Sequence, residues 1–267
     1  GQGEGLDPQT DRTVPDPLLN KHEARIRGMF GRIAPWYDFL NHLLSLNIDT
    51  SWRRRTVRLV PPRPAADGPI LDLCTGTGDL ALEYARVSAG NVPIIGADFT
   101  PEMLDRARVK GAKHPSWPVT FVEADAQQLP FESDHFQLVT VAFGLRNVTD
   151  TDRGLSEMVR VAKPGGRVAV LEFSRPTDPI FGRLYRWYFT LLLPLVGQML
   201  SRSPDSAYRY LPASVMAFPD GEALAEKMRT AGLTDVRYYP FTLGIATLYV
   251  GVKPSSSPLP LGERGQG

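Results

Sequence analysis

Short apolar runs recur along this chain, each closed by Gly, Pro, Asp or Asn. Residues 70–73 (ILDL), 92–97 (VPIIGA), 119–122 (VTFV), 136–142 (FQLVTVA) and 166–173 (GRVAVLEF) read as buried strands. Between them, residues 80–87 and 150–161 suit helices. Thr100-Pro101 opens another, with Thr as N-cap and Pro at the first helical position. The turn Lys163-Pro164-Gly165-Gly166 precedes the fifth strand. Later, Asp220 caps a helix running to Arg229, Gly232 follows it, and residues 236–241 and 246–252 supply two last strands. This alternation predicts an α/β fold with seven strands, mostly parallel, and helices on both faces of the sheet.

Two stretches fall outside the alternation. Residues 21–60 read as a helical cap before the first strand, and residues 179–218 as a helical insertion. The expected organisation is a tail over 1–20, one domain over 21–253 and a second tail over 254–267, both tails being rich in small and polar residues. Residues 180–200 (IFGRLYRWYFTLLLPLVGQML) are dense in aromatic side chains and leucine. Their apolar core is short for a membrane span, which needs about 20 residues, and Pro194 interrupts it. The segment reads either as a core or dimer helix, or as a lid lining a greasy channel and touching a bilayer, with Arg183 and Arg186 near headgroups.

Composition narrows the picture only a little. Hydrophobic content of 42% and charged content of 22% describe an ordinary globular protein, and a net charge of +1 gives no general basic surface for nucleic acid. Cys74 is the single cysteine, so no internal disulfide forms, and with four scattered histidines it suggests no metal cluster. The polar N-terminus carries no signal-peptide pattern. A cytoplasmic protein, peripheral at the inner face of a membrane if it touches one, is the expectation.

Candidate chemistry begins at LDLCTGTGDLA. Gly76 and Gly78 stand at a strand-to-helix turn and, with Ala81, satisfy a dinucleotide-type pattern that also fits a plain tight turn. Asp98 ends the second strand about 20 residues on, where an acid can accept both ribose hydroxyls of a nucleoside cofactor. NAD and S-adenosylmethionine are served equally by that pair. Asp125, in VEADAQQLPF after the third strand, separates them: its carboxylate can accept from an adenine amino group while the Ala126 amide donates to a ring nitrogen. An NAD-dependent oxidoreductase explains the glycines and Asp98, but not Asp125 together with the 163–166 turn.

Five segments, LDLCTGTGD, GADFTPEML, EADAQQLPF, FGLRNV and RVAKPGGRVAVLEFS, resemble the ordered motifs of class I S-adenosylmethionine-dependent methyltransferases. MFGRIAPWYDFLNHLLSLNIDTSWRR, FGLRNV and the run from Tyr208 to Pro254 resemble, more narrowly, the ubiquinone/menaquinone biosynthesis C-methyltransferase family. The resemblance covers residues 22–253 and implies a Rossmann-like fold with S-adenosylmethionine as methyl donor and no metal. It assigns Thr77 and the Gly76–Gly78 turn to the methionyl end, Asp98 to the ribose, and Asp125 with Ala126 to the adenine. Asp72, Phe99, Met103 and Ala142 complete the cofactor set. Family members often carry Ser where Ala142 stands, which removes one potential contact. The implied substrate is a membrane-resident prenyl quinol, demethylmenaquinol ahead of a ubiquinone precursor, and the implied partners are a membrane surface and a second copy of the chain in a homodimer. A non-catalytic cofactor-binding subunit of a quinone biosynthesis complex is the alternative.

AFGLRNV, closing the fourth strand, offers a cation where a core strand ends. C-methylation of a quinol needs a carbon nucleophile. A phenol has a pKa near ~10, so the site must favour the phenolate, and a fixed cation does so most strongly where water is excluded. Arg146 suits that role, although as a permanent cation it is a poor base. It could instead pair with a structural carboxylate. Asn147 can orient the phenol or the turn. Tyr37 joins these two in the implied catalytic set, with Asp38 and His42 as weaker candidates in the cap.

Overall fold

A computed structural model describes residues 24, 26–28, 31, 48–176, 178, 182–183 and 214–255. Tyr37, Asp38, His42 and Arg186, most of the insertion, the first tail and all but the start of the second lie outside the described residues.

Seven strands form one sheet: β1 (Ile70–Leu73), β2 (Ile94–Asp98), β3 (Val119–Glu123), β4 (Phe136–Ala142), β5 (Ala162–Phe173), β6 (Thr234–Phe241) and β7 (Ala246–Val252), in the order β3-β2-β1-β4-β5-β7-β6. The first five are parallel. β7 runs antiparallel to both neighbours. Among the described residues, helices flank them: α1 (Ile48–Leu59), α2 (Asp79–Val87), α3 (Pro101–Gly111), α4 (Thr151–Val161) and α5 (Glu222–Thr230).

The central strands are buried on both faces, which is why they read as continuous apolar runs. Alternation still sorts their side chains. Ile70, Leu138, Ala169 and Leu171 pack with Trp52 and Val57 of α1 and Leu80 and Tyr84 of α2. Leu71, Leu73, Val139, Val141, Val168 and Val170 pack on the other face with Leu155 and Met158 of α4 and Leu224 and Met228 of α5. Strand order reverses between β1 and β4, so the crevice beyond their carboxyl ends is where a ligand of such a sheet belongs.

Three local expectations need correction. The turn at Lys163–Gly166 is part of β5: Gly165 donates its amide to Lys253 O at 2.8 Å and Lys253 donates to Gly166 O at 2.9 Å. The excess residues appear as a register shift, since Phe136 faces Ala162 while Leu138 already faces Arg167. Secondly, Gly221, not Asp220, is the N-cap of α5. The Asp220 carboxylate is engaged by Arg175, whose amide donates at 2.8 Å and whose Nη2 donates at 2.5 Å. Thirdly, the second strand starts at Ile94, after Pro93, which has no amide for a ladder. Thr100 does cap α3 with Pro101 next, though its hydroxyl makes no capping bond. Asp150 caps α4 by accepting the Arg153 amide at 3.0 Å.

Candidate active site

The turn after β1 is built from left-handed residues: Cys74, Gly76 and Gly78 have φ of 51°, 55° and 85°. Thr75 donates its amide to Ala97 O at 3.0 Å, and Gly76 donates its own to Asp98 Oδ2 at 2.8 Å. The turn is therefore sewn to the end of β2. Glycine at 78 is required twice, by its positive φ and because a Cβ would stand 2.9 Å from the Phe121 ring. Gly96, on β2, is equally constrained: a Cβ there would meet Phe121 Cδ1 at 2.6 Å and Thr75 Oγ1 at 2.9 Å.

Two buried carboxylates support this turn. Asp72 accepts from Thr75 Oγ1 at 2.6 Å and leaves Oδ1 without a partner. Burial pushes its carboxyl up to about 7 against the pull of the Thr75 hydroxyl. Asp98 also accepts the Thr100 amide, at 2.9 Å, through Oδ1. Burial raises its carboxyl above the ordinary range, opposed by the Gly76 and Thr100 amides. The Cys74 thiol is pushed up as well, by burial and then by the Asp98 charge, which leaves it a thiol rather than a nucleophile.

A cavity of about 520 Å³ opens beyond these strand ends, within the usual range for a small-molecule site. Gly76, Asp98, Phe99, Met103, Asp125, Ala126 and Asn147, all expected from the sequence, line it. Asp125 is exposed and accepts the Gln127 amide at 2.8 Å, which fixes the loop. Cys74, Glu123, Phe143 and Gly144 also contribute, as do Ala24, Ile26 and Arg27 from the cap region. Arg27 donates to Glu123 Oε1 at 2.8 Å across this wall.

The remaining expected residues stand away from the lining. Asp72 lies beneath the turn. Gly78 caps α2, and Ala142 ends β4. The Thr77 hydroxyl accepts from Lys110 Nζ at 2.8 Å, and the same ammonium donates to Asp79 at 2.6 Å. Arg146 is not among the lining residues either. It lies in a 3-10 turn, Leu145–Asn147, and its side chain, 8% exposed, pairs with the buried Glu172 of β5 at 3.1 Å. Its guanidinium carbon lies 5.3 Å from the Phe173 ring centroid. The structural-carboxylate alternative for Arg146 thus has a named partner. Glu172 went unnoticed in the sequence, yet a lone acid inside VAVLEF was a signal, because such residues are seldom buried unpaired. Gly96 and Phe143, the latter left-handed with φ 56°, carried no comparable local signal.

This strand order, with a glycine turn at the reversal and acids beyond β2 and β3, defines an S-adenosylmethionine-dependent methyltransferase. A model of the ubiE/COQ5 methyltransferase family matches residues 19–253, and the chain belongs to that family. It is 48% identical over 237 residues to a ubiquinone/menaquinone biosynthesis C-methyltransferase of Geobacter sp. strain M21, spanning 88% of this chain and 99% of the relative. It is 49% identical over 226 residues to a demethylmenaquinone methyltransferase of Thermus thermophilus, spanning 85% and 100%. In fold it resembles the crystal structure of a SAM-dependent methyltransferase from Thermotoga maritima, with a TM-score of 0.61 at 19% identity over 85% of this chain and 99% of that one. The nicotinamide-dependent reading is set aside by this membership. S-adenosylmethionine is the methyl donor. Among the described residues no cluster of acids, histidines and cysteine is placed to hold a metal ion, and no helix is long and apolar enough to cross a membrane.

Proposed function

We propose that this chain transfers a methyl group to a ring carbon of a demethylated prenyl hydroquinone, demethylmenaquinol ahead of a ubiquinone precursor. Of the relatives named above, one is a ubiquinone/menaquinone biosynthesis C-methyltransferase and the other a demethylmenaquinone methyltransferase. The observation that carries the catalytic part is the state of Arg146: Nη1 makes all of its side-chain hydrogen bonds, while Nε is buried with no acceptor. A buried fork with one edge uncommitted suits a phenolate oxygen.

The residues present fit an S-adenosyl cofactor. Asp98, buried at the rim, is assigned the ribose hydroxyls. Asp125 and the Ala126 amide are assigned the adenine, with Phe99 and Met103 against its faces. Gly76 leaves room for the methionyl end, steadied by Thr77 and, from below, by Asp72. Bound there, the cofactor supplies an electrophilic methyl on its sulfonium sulfur. On the substrate side, Arg146 lowers the cost of releasing the phenolic proton to water, which leaves electron density on the ortho carbon. Asn147, on the cavity wall, orients that ring, and Tyr37 is the third residue assigned to catalysis. Arg146 stays protonated throughout. The substrate is met at a membrane surface, with the insertion over 179–218 as the contact; Arg183 within it is exposed.

The test is methyl transfer from labelled S-adenosylmethionine to reduced demethylmenaquinone and to a demethylated ubiquinol precursor, side by side in liposomes. Label in the naphthoquinol confirms the reading, and preference for the benzoquinol moves the substrate. Cofactor binding with label in neither would overturn it.

A further inference from the structure

We infer that Glu172 is a positioning residue for methyl transfer: its carboxylate grips Nη1 of Arg146 and so fixes the plane in which the free edge of the guanidinium meets the substrate oxygen. The inference rests on the phenolate role given to Arg146 above.

Glu172 is fully buried on β5 and is the carboxylate that Arg146 pairs with among the described residues. Its own position is fixed by the Phe173 amide, which donates to Oε2 at 3.1 Å. From there it holds Arg146 at two levels. Oε1 accepts the Arg146 backbone amide at 3.2 Å, and Oε2 accepts Nη1 at 3.1 Å. The Phe143 carbonyl accepts from the same Nη1. Three acceptor atoms thus converge on one nitrogen of the fork, counting the longer Oε1 contact at 3.4 Å. The Phe173 ring beside the guanidinium carbon adds a surface that restrains its plane.

A pair serving stability alone would be arranged differently. Buried ion pairs are often replaceable by well-packed apolar side chains at no loss. Buried donors are moreover nearly always satisfied, and an orphan calls for an explanation. Here Nε is buried and lacks an acceptor, while Nη1 is oversupplied. That asymmetry leaves one donor of the guanidinium for an external oxygen. The adjoining Asn147 lines the cavity, so the turn that Glu172 anchors is also part of the site wall.

The experiment uses the full chain with reduced demethylmenaquinone and compares wild type, Glu172→Gln, Arg146→Ala and the double variant. Glu172→Gln should lower kcat about tenfold or more while the KM for S-adenosylmethionine stays unchanged, since the cofactor contacts are elsewhere. Arg146→Ala should lose about 100-fold and recover part of it in millimolar guanidinium chloride, because Glu172 still offers a seat for the ion. In the double variant that recovery should vanish, an outcome that a merely structural role would not produce. Wild-type kcat in Glu172→Gln, or rescue that persists in the double variant, would overturn the inference. If Glu172→Gln fails to fold, absence of guanidinium rescue in Arg146→Ala alone overturns it, and rescue there supports it. A wild-type enzyme that leaves the quinol unmethylated would instead count against the proposed function.

Discussion

The amide of Gly76 donates to the Asp98 carboxylate at 2.8 Å, joining the turn after β1 to the end of β2. One buried acid therefore shapes the floor of the cavity and stands on its rim. Asparagine at 98 would turn its NH2 group toward one of the two amides that now meet an acceptor, that of Gly76 or that of Thr100. A buried donor left unsatisfied costs about 1–3 kcal/mol. Asp98→Asn should weaken S-adenosylmethionine binding about 10- to 100-fold by calorimetry. Unchanged affinity in a folded variant would detach this residue from the cofactor.

Gly96 is a packing prediction. Alanine there would drive a methyl group into the Phe121 ring and the Thr75 hydroxyl. Overpacking of this kind costs about 1–3 kcal/mol, and about 2–4 °C of melting temperature accompanies each kcal/mol in a domain of this size. Gly96→Ala should melt several degrees lower, and Phe121→Leu in the same chain should return part of the loss. A variant as stable as wild type would show that β2 and β3 can part at no cost.

Asp72 makes stability depend on pH. Its folded carboxyl sits at about 7 against an ordinary 3.8, chiefly through burial. The folded state therefore holds the proton more tightly than the unfolded state. The contribution is full below 3.8 and is lost as pH rises through about 7. Asp98 is shifted in the same direction. Asp72→Asn, which cannot ionise, should gain melting temperature relative to wild type between roughly pH 5 and 8. Parallel melting curves across that range would refute the shift.

Arg146→Lys tests the fork itself. Lysine keeps the charge but offers a compact ammonium in place of a planar edge. Turnover with the quinol should fall about 100-fold or more, with S-adenosylmethionine affinity within about twofold, because the cofactor residues are untouched. Near-normal turnover would leave the arginine with a structural duty only.

Much of this was legible in the sequence. The β-α-β alternation follows from local periodicity, and the glycine turn with Asp98 and Asp125 sits where strand ends must converge. What stayed hidden was pairing at long range. Glu172 and Arg146 are 26 residues apart and meet only because β4 and β5 are neighbours. The engagement of Asp220 by Arg175 spans 45 residues, and no local pattern announces it. The same holds for Lys163–Gly166: local composition reads as a turn, but the Gly165 amide and the Gly166 carbonyl pair with Lys253 near the far end of the domain, and the segment is strand.

β7 lies between β5 and β6, although it is the last of the seven in chain order. Thr247 on that strand stands opposite Glu172. During synthesis, β1 to β5 emerge first, and β5 keeps a bare edge until β7 arrives. The anchor of Arg146 has to wait. A nascent chain stalled before residue 246 would leave the strand carrying Glu172 without its second neighbour, so the seat of Arg146 is completed by the last strand made.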